Sequence, residues 1–121
     1  MEKKIYDLKK RVYIYALEVI RFLEDLPKDY ISQTLGRQLL RSATSIGANI
    51  IEAQASSSKK DFINYYHHSL KSSNESRFWL RLLRDSIKML DNKVEQILKE
   101  TEELSNIIAS SILTMKGRNK F

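Results

Sequence analysis

The 121-residue chain contains no cysteine, one proline and three glycines. The lack of cysteine excludes disulfides and thiolate metal sites, and it is typical of a reducing compartment such as the cytoplasm. All-β folds need turn residues at roughly every 8–12 positions, so few prolines and glycines disfavour them. No apolar run approaches the roughly 18–20 residues that span a bilayer, and the charged N-terminus has no signal-peptide core. We therefore expect a cytoplasmic protein without a membrane partner.

Apolar residues recur at three- and four-residue steps along most of the chain, which predicts amphipathic helices. The periodic segments cover approximately residues 3–26, 32–55, 58–90 and 92–116. The predicted inner face of the first helix consists of Ile5, Leu8, Val12, Ala16, Val19, Leu23 and Leu26. That of the second consists of Leu35, Leu39, Ala43, Ile46, Ile50 and Ala53, and that of the fourth of Val94, Leu98, Thr101, Leu104, Ser105, Ile108, Ile112 and Met115. Short connections between long helices favour antiparallel neighbours. The sequence thus predicts an all-α fold, an antiparallel up-down-up-down four-helix bundle in one domain, residues 1–116. Residues 117–121 would form a basic C-terminal tail.

Capping and stop signals divide these segments. Pro27 is expected to stop the first helix, and Ser32 is expected to cap the second. The third should start after Ser58, because the segment from Ser58 to Asp61 resembles a capping box. A similar box at Asn92 opens the fourth helix, which Gly117 should end.

Serines on the inner face of the third helix are unusual for a core. They are Ser69, Ser73 and Ser76. Small side chains permit close helix approach, and their hydroxyls can bond to carbonyls of their own helix. We expect a tightly packed seam at this position.

Several large apolar residues fall outside the inner faces. They are Tyr6, Tyr13, Leu17, Leu40, Ile51, Phe78, Leu82 and Met89, with Ile107 and Leu113 on the fourth helix. Scattered surface apolar residues are normal in a monomer. Because these recur at helical spacing, we predict self-association, and a cyclic oligomer would use two different faces of each subunit.

Basic residues exceed acidic ones by 21 to 15, which gives a net charge of +6 and favours polyanion binding. The first candidate for nucleic-acid binding is a row on one flank of the third helix: Arg77, Arg81, Arg84 and Lys88. Such a row can follow a phosphate backbone. Alternatively, the aliphatic stems cover the core edge and the cations pair with acids such as Asp85 and Glu102.

Two further groups of basic residues lie outside this row, and only the first is a candidate for binding. Lys59 and Lys60 lie at the start of the third helix, where they oppose the helix dipole. They indicate either an anion site or solvated loop residues. Lys9, Lys10 and Arg11 form a run on the first helix that we interpret as solvated.

No residue pattern indicates catalysis or metal binding. His67 and His68 are adjacent, so their side chains point about 100° apart on a helix and cannot share one metal. Glycine-rich phosphate loops and nucleophile-elbow motifs are lacking. We expect no enzymatic activity, no cofactor and no metal.

The central half of the chain resembles the four-helix-bundle family named for the 23S ribosomal RNA intervening-sequence protein. The matching segments are Leu26 to Lys28, Gln38 to Glu52, Ser58 to Ile63 and Ser69 to Glu75. The segment from Arg77 to Arg81 is similar to a motif of a related branch, the accessory variability protein of diversity-generating retroelements. Gly47 replaces a proline frequent in the ribosomal pattern, and Ala53-Gln54 replaces a Glu-Gly ending.

The resemblance implies a bundle that assembles as a ring, typically a homopentamer, with no established catalytic residue. It also implies a ribosome-related role in one branch, and binding to a reverse transcriptase and nucleic acid in the other. Together with the charge, this predicts a non-enzymatic oligomeric accessory protein that associates with RNA, DNA or a ribonucleoprotein. The alternative is a protein-protein interaction scaffold with no nucleic-acid role, whose charge serves only solubility.

Overall fold

The computed structural model describes residues 7–87 and 92–118, and these form four helices. The helices are α1 (Leu8–Glu24), α2 (Tyr30–Gln54), α3 (Lys59–Ser86) and α4 (Asn92–Arg118). Each packs against the next along the chain, and α4 also packs against α1, while helices on the diagonals make no backbone contact within the described ranges. The all-α prediction and the four-helix bundle are confirmed. No helix in this part of the chain is long and apolar enough to cross a membrane.

Helix α1 has an aspartate cap and ends earlier than predicted. Its N-cap is Asp7, whose carboxylate accepts the Lys9 N–H at 3.1 Å, so the helix begins at Leu8. The predicted start near residue 3 lies outside the described residues. It ends at Glu24, ahead of Pro27. The N–H groups of Asp25 and Leu26 then bond to carbonyls three residues back, which tightens the last turn.

The N-cap of α2 is Asp29, so the prediction that Ser32 caps this helix is wrong. The Asp29 carboxylate accepts the Ser32 N–H at 2.9 Å and the Ser32 hydroxyl at 2.8 Å. Both hydrogen bonds lower the pKa of Asp29 below its ordinary value, and the bond from the Ser32 backbone N–H has the larger effect. The negative charge of the Asp29 carboxylate also interacts favourably with the positive end of the helix dipole, which a neutral serine hydroxyl does not.

Helix α3 begins as predicted but ends earlier, and α4 ends later. Ser58 caps α3 by accepting the Asp61 N–H at 3.1 Å, and the helix ends at Ser86 instead of about residue 90. Helix α4 runs through Gly117 to Arg118. No glycine among the described residues has the positive φ of a left-handed helix stop, which explains why Gly117 does not end α4.

The core contains the inner faces that the periodicity predicts. In α2 and α4 the buried apolar residues are Leu39, Ala43, Ile46, Ile50, Ala53, Val94, Leu98, Leu104, Ile108 and Ile112. Tyr15, Phe22 and Ile97 are also buried, although the inward sets read from the sequence did not include them.

The serines form the predicted seam between α2 and α3, which make the most extensive contact in the bundle. Ser69 donates to the Ile46 carbonyl across the seam at 2.8 Å, and Ser76 lies 2.8 Å from Ser42. Only Ser73 bonds to its own helix, at the Leu70 carbonyl. Two of these three serine hydroxyls therefore form hydrogen bonds between α2 and α3, and one bonds to a carbonyl of its own helix.

Arg11 is not solvated, contrary to the interpretation of the basic run on the first helix. Its guanidinium donates to the two carboxylate oxygens of Glu100 at 3.1 and 2.6 Å, and to Glu103 at 3.3 Å. Only 9% of Arg11 is exposed. These hydrogen bonds, above all those to Glu100, raise the pKa of Arg11. The charge joins α1 to α4 in a bidentate pair.

Candidate functional site

The arginine row lies along the edge of α3 that borders α4, and neighbouring acids partly neutralise it. Arg77 contacts Glu102 at 3.1 Å and donates to the Asn74 side chain at 2.6 Å. Its guanidinium is therefore held on the subunit's own surface. This is the pairing that the alternative interpretation of the row predicts.

Arg84 is engaged in the same way. It contacts Asp85 at 2.8 Å and Glu95 at 3.3 Å. The hydrogen bond to Asp85 raises the pKa of Arg84 and lowers that of Asp85, to which the charge of Arg81 also contributes. Arg81 is exposed, and Lys88 lies outside the described residues. A phosphate backbone would have to compete with these acids for Arg77 and Arg84.

A different basic cluster forms where α3 begins and α4 ends. We call it the lysine end: a depression of about 370 Å³ whose lining residues are Lys59, Lys60, Ile63, Asn64, His67 and Lys116. None of these lining residues carries a carboxylate. The predicted pair Lys59 and Lys60 is thus joined by a third lysine from another helix.

Sequence patterns alone did not indicate that Lys116, Asn64 and His67 belong to one site with Lys59 and Lys60. The signal was nonetheless present in the antiparallel pairing of α3 and α4. The Arg77–Glu102 and Arg84–Glu95 contacts set a register in which residue 116 lies beside residue 63. Extending that register would have placed Lys116 at the start of α3.

The electrostatics of the lysine end favour an anion. The backbone N–H groups of Lys59 and Lys60 at the start of α3 add partial positive charge to that of the lysines, and the Asp61 carboxylate in the same turn offsets part of it. Lysine ammonium groups bind phosphate as point charges and do not require one fixed geometry. Such an arrangement suits a flexible, repeated anion more than one rigid small molecule.

The first apolar surface is the α1–α2 groove, a depression of about 480 Å³ between these helices. Its lining residues are Lys9, Lys10, Val12, Tyr13, Ala16, Thr44, Gly47, Ala48 and Ile51. Tyr13 is 67% exposed and Ile51 52%. Gly47 forms part of the floor, where a Cβ would lie 3.3 Å from Val12 Cγ2. Small residues therefore bring the two helices close and leave a shallow apolar channel above them.

The second apolar surface is the Phe78 ridge, formed by Phe78 and Leu82 on the outer side of α3. Phe78 is 56% exposed and packs edge-on against Trp79, with ring centroids 5.1 Å apart. The Trp79 indole N–H is buried without a hydrogen-bond partner. Trp79 itself packs against the hydrophobic core, so it connects the exposed Phe78 ring to the interior of the bundle.

The remaining residues of the predicted oligomer interface differ in how exposed they are. Leu40 is exposed and borders a smaller depression with Leu23 and Gly36, continuing the α1–α2 seam. Leu17 is only partly exposed, while Tyr6 and Met89 lie outside the described residues. Exposed residues that the prediction omitted are Ile20, Tyr30 and Ile31. The exposure of Tyr13, Leu40, Ile51, Phe78 and Leu82 agrees with their position off the inner faces.

A further depression, of about 580 Å³, lies between α3 and α4. Phe62 and Tyr66 stack there at 4.8 Å, beside Asn106, Ser110 and Thr114. Burial raises the pKa of Tyr66. The lining residues include no carboxylate, histidine or lysine. Across residues 7–87 and 92–118, no three metal-ligating side chains come together.

The fold and surfaces define a class: a small antiparallel four-helix bundle with a basic end and two exposed apolar surfaces. Residues 4–110 match the family described as 23S rRNA-intervening sequence protein, and the chain belongs to that family. A similar solved structure is a protein of unknown function from the S23 ribosomal protein family of Bacteroides thetaiotaomicron. It is 31% identical, with 87% of this chain and 97% of that chain covered and a TM-score of 0.79. No curated protein matches the chain.

Proposed function

We propose that the chain is a non-enzymatic, homo-oligomeric accessory protein that binds RNA through its lysine end. The observation that carries this proposal is the convergence of Lys59, Lys60 and Lys116 on one depression without a lining carboxylate. The net charge of +6 supports the same conclusion. RNA is chosen over DNA because the family description refers to 23S rRNA.

Oligomerisation would give a weak site useful affinity. One lysine end contacts few phosphates, and each neutralised phosphate contributes only a part of the binding free energy. Several copies on one particle convert later contacts into intramolecular ones and raise the avidity. A homopentamer is the assembly that the family resemblance implies. In this proposal the arginine row is a secondary contact that Glu102 and Asp85 restrain.

The setting follows from the same features. The lack of cysteine supports a cytoplasmic protein. A ribosome-associated role fits the family description. Binding to a partner protein such as a reverse transcriptase stays an additional proposal, which rests on the similarity of the segment from Arg77 to Arg81 to the related branch.

A pure protein-interaction scaffold is the second candidate. The ion pairs of Arg77 with Glu102 and of Arg84 with Asp85 favour it, because they occupy cations of the predicted row within the subunit. In this case the oligomer would present an apolar or charged face to a partner protein. Generic nucleic acids would then show no saturable binding.

The test is RNA binding measured by fluorescence anisotropy at a series of salt concentrations. We expect binding that weakens steeply with salt and is lost in the variant Lys59→Glu/Lys60→Glu/Lys116→Glu. A matched control changes the same number of exposed lysines elsewhere: Lys28→Glu/Lys71→Glu/Lys99→Glu. The variant Arg77→Glu/Arg81→Glu/Arg84→Glu tests the row. Far-UV circular dichroism verifies that each variant is folded.

The outcomes separate the candidates. Loss of binding in the lysine-end variant but not in the control supports the proposed site. Equal loss in both shows that only net charge matters, and a lack of binding by the unaltered protein leaves the scaffold. Light scattering tests the oligomer independently, since a lone 14.2 kDa particle at micromolar concentration contradicts the avidity argument.

A further inference from the structure

The α1–α2 groove and the Phe78 ridge lie on different helices of one subunit and have complementary shapes. The groove is a concave apolar channel, whereas the ridge presents two adjacent large side chains. We infer that the groove of one subunit receives the Phe78 ridge of a second copy. This inference rests on the oligomer in the proposed function and identifies the surfaces that form it.

The groove has the size to accept the ridge. A cavity of about 150 Å³ is sufficient to hold benzene, and the groove offers about 480 Å³. Ala16, Gly47 and Ala48 keep its floor low, so an aromatic ring can approach the helix backbones. Tyr13 and Ile51 would then cover the sides of Phe78. Large aromatic anchors in such pockets supply most of the binding free energy at protein interfaces.

The charges at the ends of the two surfaces also match. Lys9 and Lys10 lie at one end of the groove, and Arg37 lies beyond its other end, in the separate smaller depression between α1 and α2. On α3, Glu75 precedes Phe78 by three residues and Asp85 follows Leu82 by three. Both carboxylates remain partly exposed although each has a partner in its own subunit.

The spans are compatible. At about 1.5 Å per helical residue, Glu75 and Asp85 are about 15 Å apart along α3. Along α2, Arg37 lies about 21 Å from Ile51, which shares the groove lining with Lys9 and Lys10. Long lysine and arginine side chains can close the difference. One acid beside the ridge can therefore meet Lys9 and Lys10 at the end of the groove, while the other lies on the side of Arg37. This charge match favours the pairing over groove against groove.

The geometry also determines the kind of assembly. Because the groove is built by α1 and α2 and the ridge by α3, one subunit cannot use the same patch that its neighbour uses. Such heterologous contacts produce rings when the rotation closes. Each added subunit then leaves one groove and one ridge open until closure.

Cysteine cross-linking tests the contact, because the chain contains no cysteine of its own. Ala48→Cys places a thiol in the groove and Leu82→Cys places one on the ridge. With a short bismaleimide reagent, we expect dimers only when the two single variants are mixed. The double variant should give a ladder that ends at the size of the intact oligomer. Leu113→Cys is the matched control, since Leu113 is 71% exposed but belongs to neither surface.

A second measurement uses truncation. Phe78→Ala should weaken assembly about tenfold in dilution experiments, whereas Leu113→Ala should leave it unchanged. Links within Ala48→Cys alone or Leu82→Cys alone, or an intact oligomer without mixed links, overturn the inference but not the proposed function. A monomer overturns both.

Discussion

The Tyr15 hydroxyl lies 2.7 Å from the Thr101 hydroxyl in the buried centre of the bundle and joins α1 to α4. Thr101 donates its own proton to the Ile97 carbonyl at 2.7 Å. Tyr15 must therefore be the donor to Thr101. Ser76 is also close enough to the Tyr15 hydroxyl to lower its pKa, and Ser76 in turn lies 2.8 Å from Ser42. One polar layer thus connects all four helices.

This layer fixes how the helices stand relative to one another. Apolar side chains of similar size permit neighbouring helices to slide by one turn with modest loss of packing. A buried hydroxyl that slides loses its partner, which costs about 1–3 kcal/mol. We therefore expect the layer from Thr101 to Ser42 to select a single register of the bundle.

Replacing Tyr15 by Phe should lower the free energy of unfolding by about 1–2 kcal/mol, because the bond to Thr101 and the contact with Ser76 are lost. Urea unfolding of Tyr15→Phe, Thr101→Val and the double variant measures the coupling. We expect a coupling energy of about 0.5–1.5 kcal/mol. Tyr13→Phe is the matched control at an exposed tyrosine. Additive effects of Tyr15 and Thr101 would show that the bond contributes nothing specific.

Stability should also decrease at high pH through Tyr15. Burial raises the pKa of Tyr15 from 10.0 to about 12. In the unfolded chain the phenol ionises near pH 10, while in the folded protein it stays neutral, so ionisation favours unfolding. The stabilisation is complete below pH 10 and is lost as the pH rises to about 12, by roughly 2–3 kcal/mol.

The measurement compares the unfolding midpoints of the native protein and of Tyr15→Phe between pH 9 and pH 12, at intervals of about one pH unit. Other tyrosines and lysines titrate in both proteins, so the difference between the two curves isolates Tyr15. Parallel curves would contradict the assignment.

Local periodicity predicted the inner faces well. Leu39, Ala43, Ile46 and Ile50 are fully buried because α2 is a regular helix whose spacing alone determines which residues share a side. The Ser58 cap was equally local. The helix boundary at Asp29 was misplaced because several nearby side chains can cap, and tertiary packing selects among them.

The parts that the sequence did not predict depend on pairing between helices. Arg11 is buried because Glu100 lies opposite it on α4, some ninety positions further along the chain. Lys116 joins Lys59 for the same kind of reason. A charge run looks solvated when only its own helix is considered. Its environment becomes predictable once the register of the neighbouring helix is known.

Removing the two acids that bind Arg11 should destabilise the protein more than removing Arg11 itself. Glu100→Gln/Glu103→Gln leaves a guanidinium that is nine-tenths buried without a countercharge, so we expect a loss of about 3 kcal/mol. Arg11→Met leaves two carboxylates that water can reach, and we expect about half that loss.

Urea unfolding compares both variants with Glu75→Gln, which removes an exposed partner of Arg41 and should cost under about 1 kcal/mol. A larger loss in Arg11→Met than in the double glutamine variant would contradict this account.

Two glycines should respond differently when replaced by alanine. Gly117 lies in α4 with open space around the position of a Cβ, so Gly117→Ala should stabilise by about 0.5 kcal/mol through helix propensity. At Gly47 the added Cβ would lie 3.3–3.4 Å from the stiff side chain of Val12. There the steric cost should cancel the propensity gain or exceed it. Thermal unfolding of the two single variants decides, and equal stabilisation would refute the close approach of α1 and α2.

Glu102→Gln tests whether the arginine row contacts RNA. The variant removes the carboxylate that holds Arg77 at 3.1 Å and frees the guanidinium for a phosphate. If the row contributes, RNA affinity at low salt should rise about threefold and the salt slope should steepen by about one phosphate contact. Glu52→Gln is the matched control, because it changes the net charge equally at an exposed position on α2. An equal gain in RNA affinity in both variants would show that the effect comes only from net charge. The lysine end would then remain the contact surface.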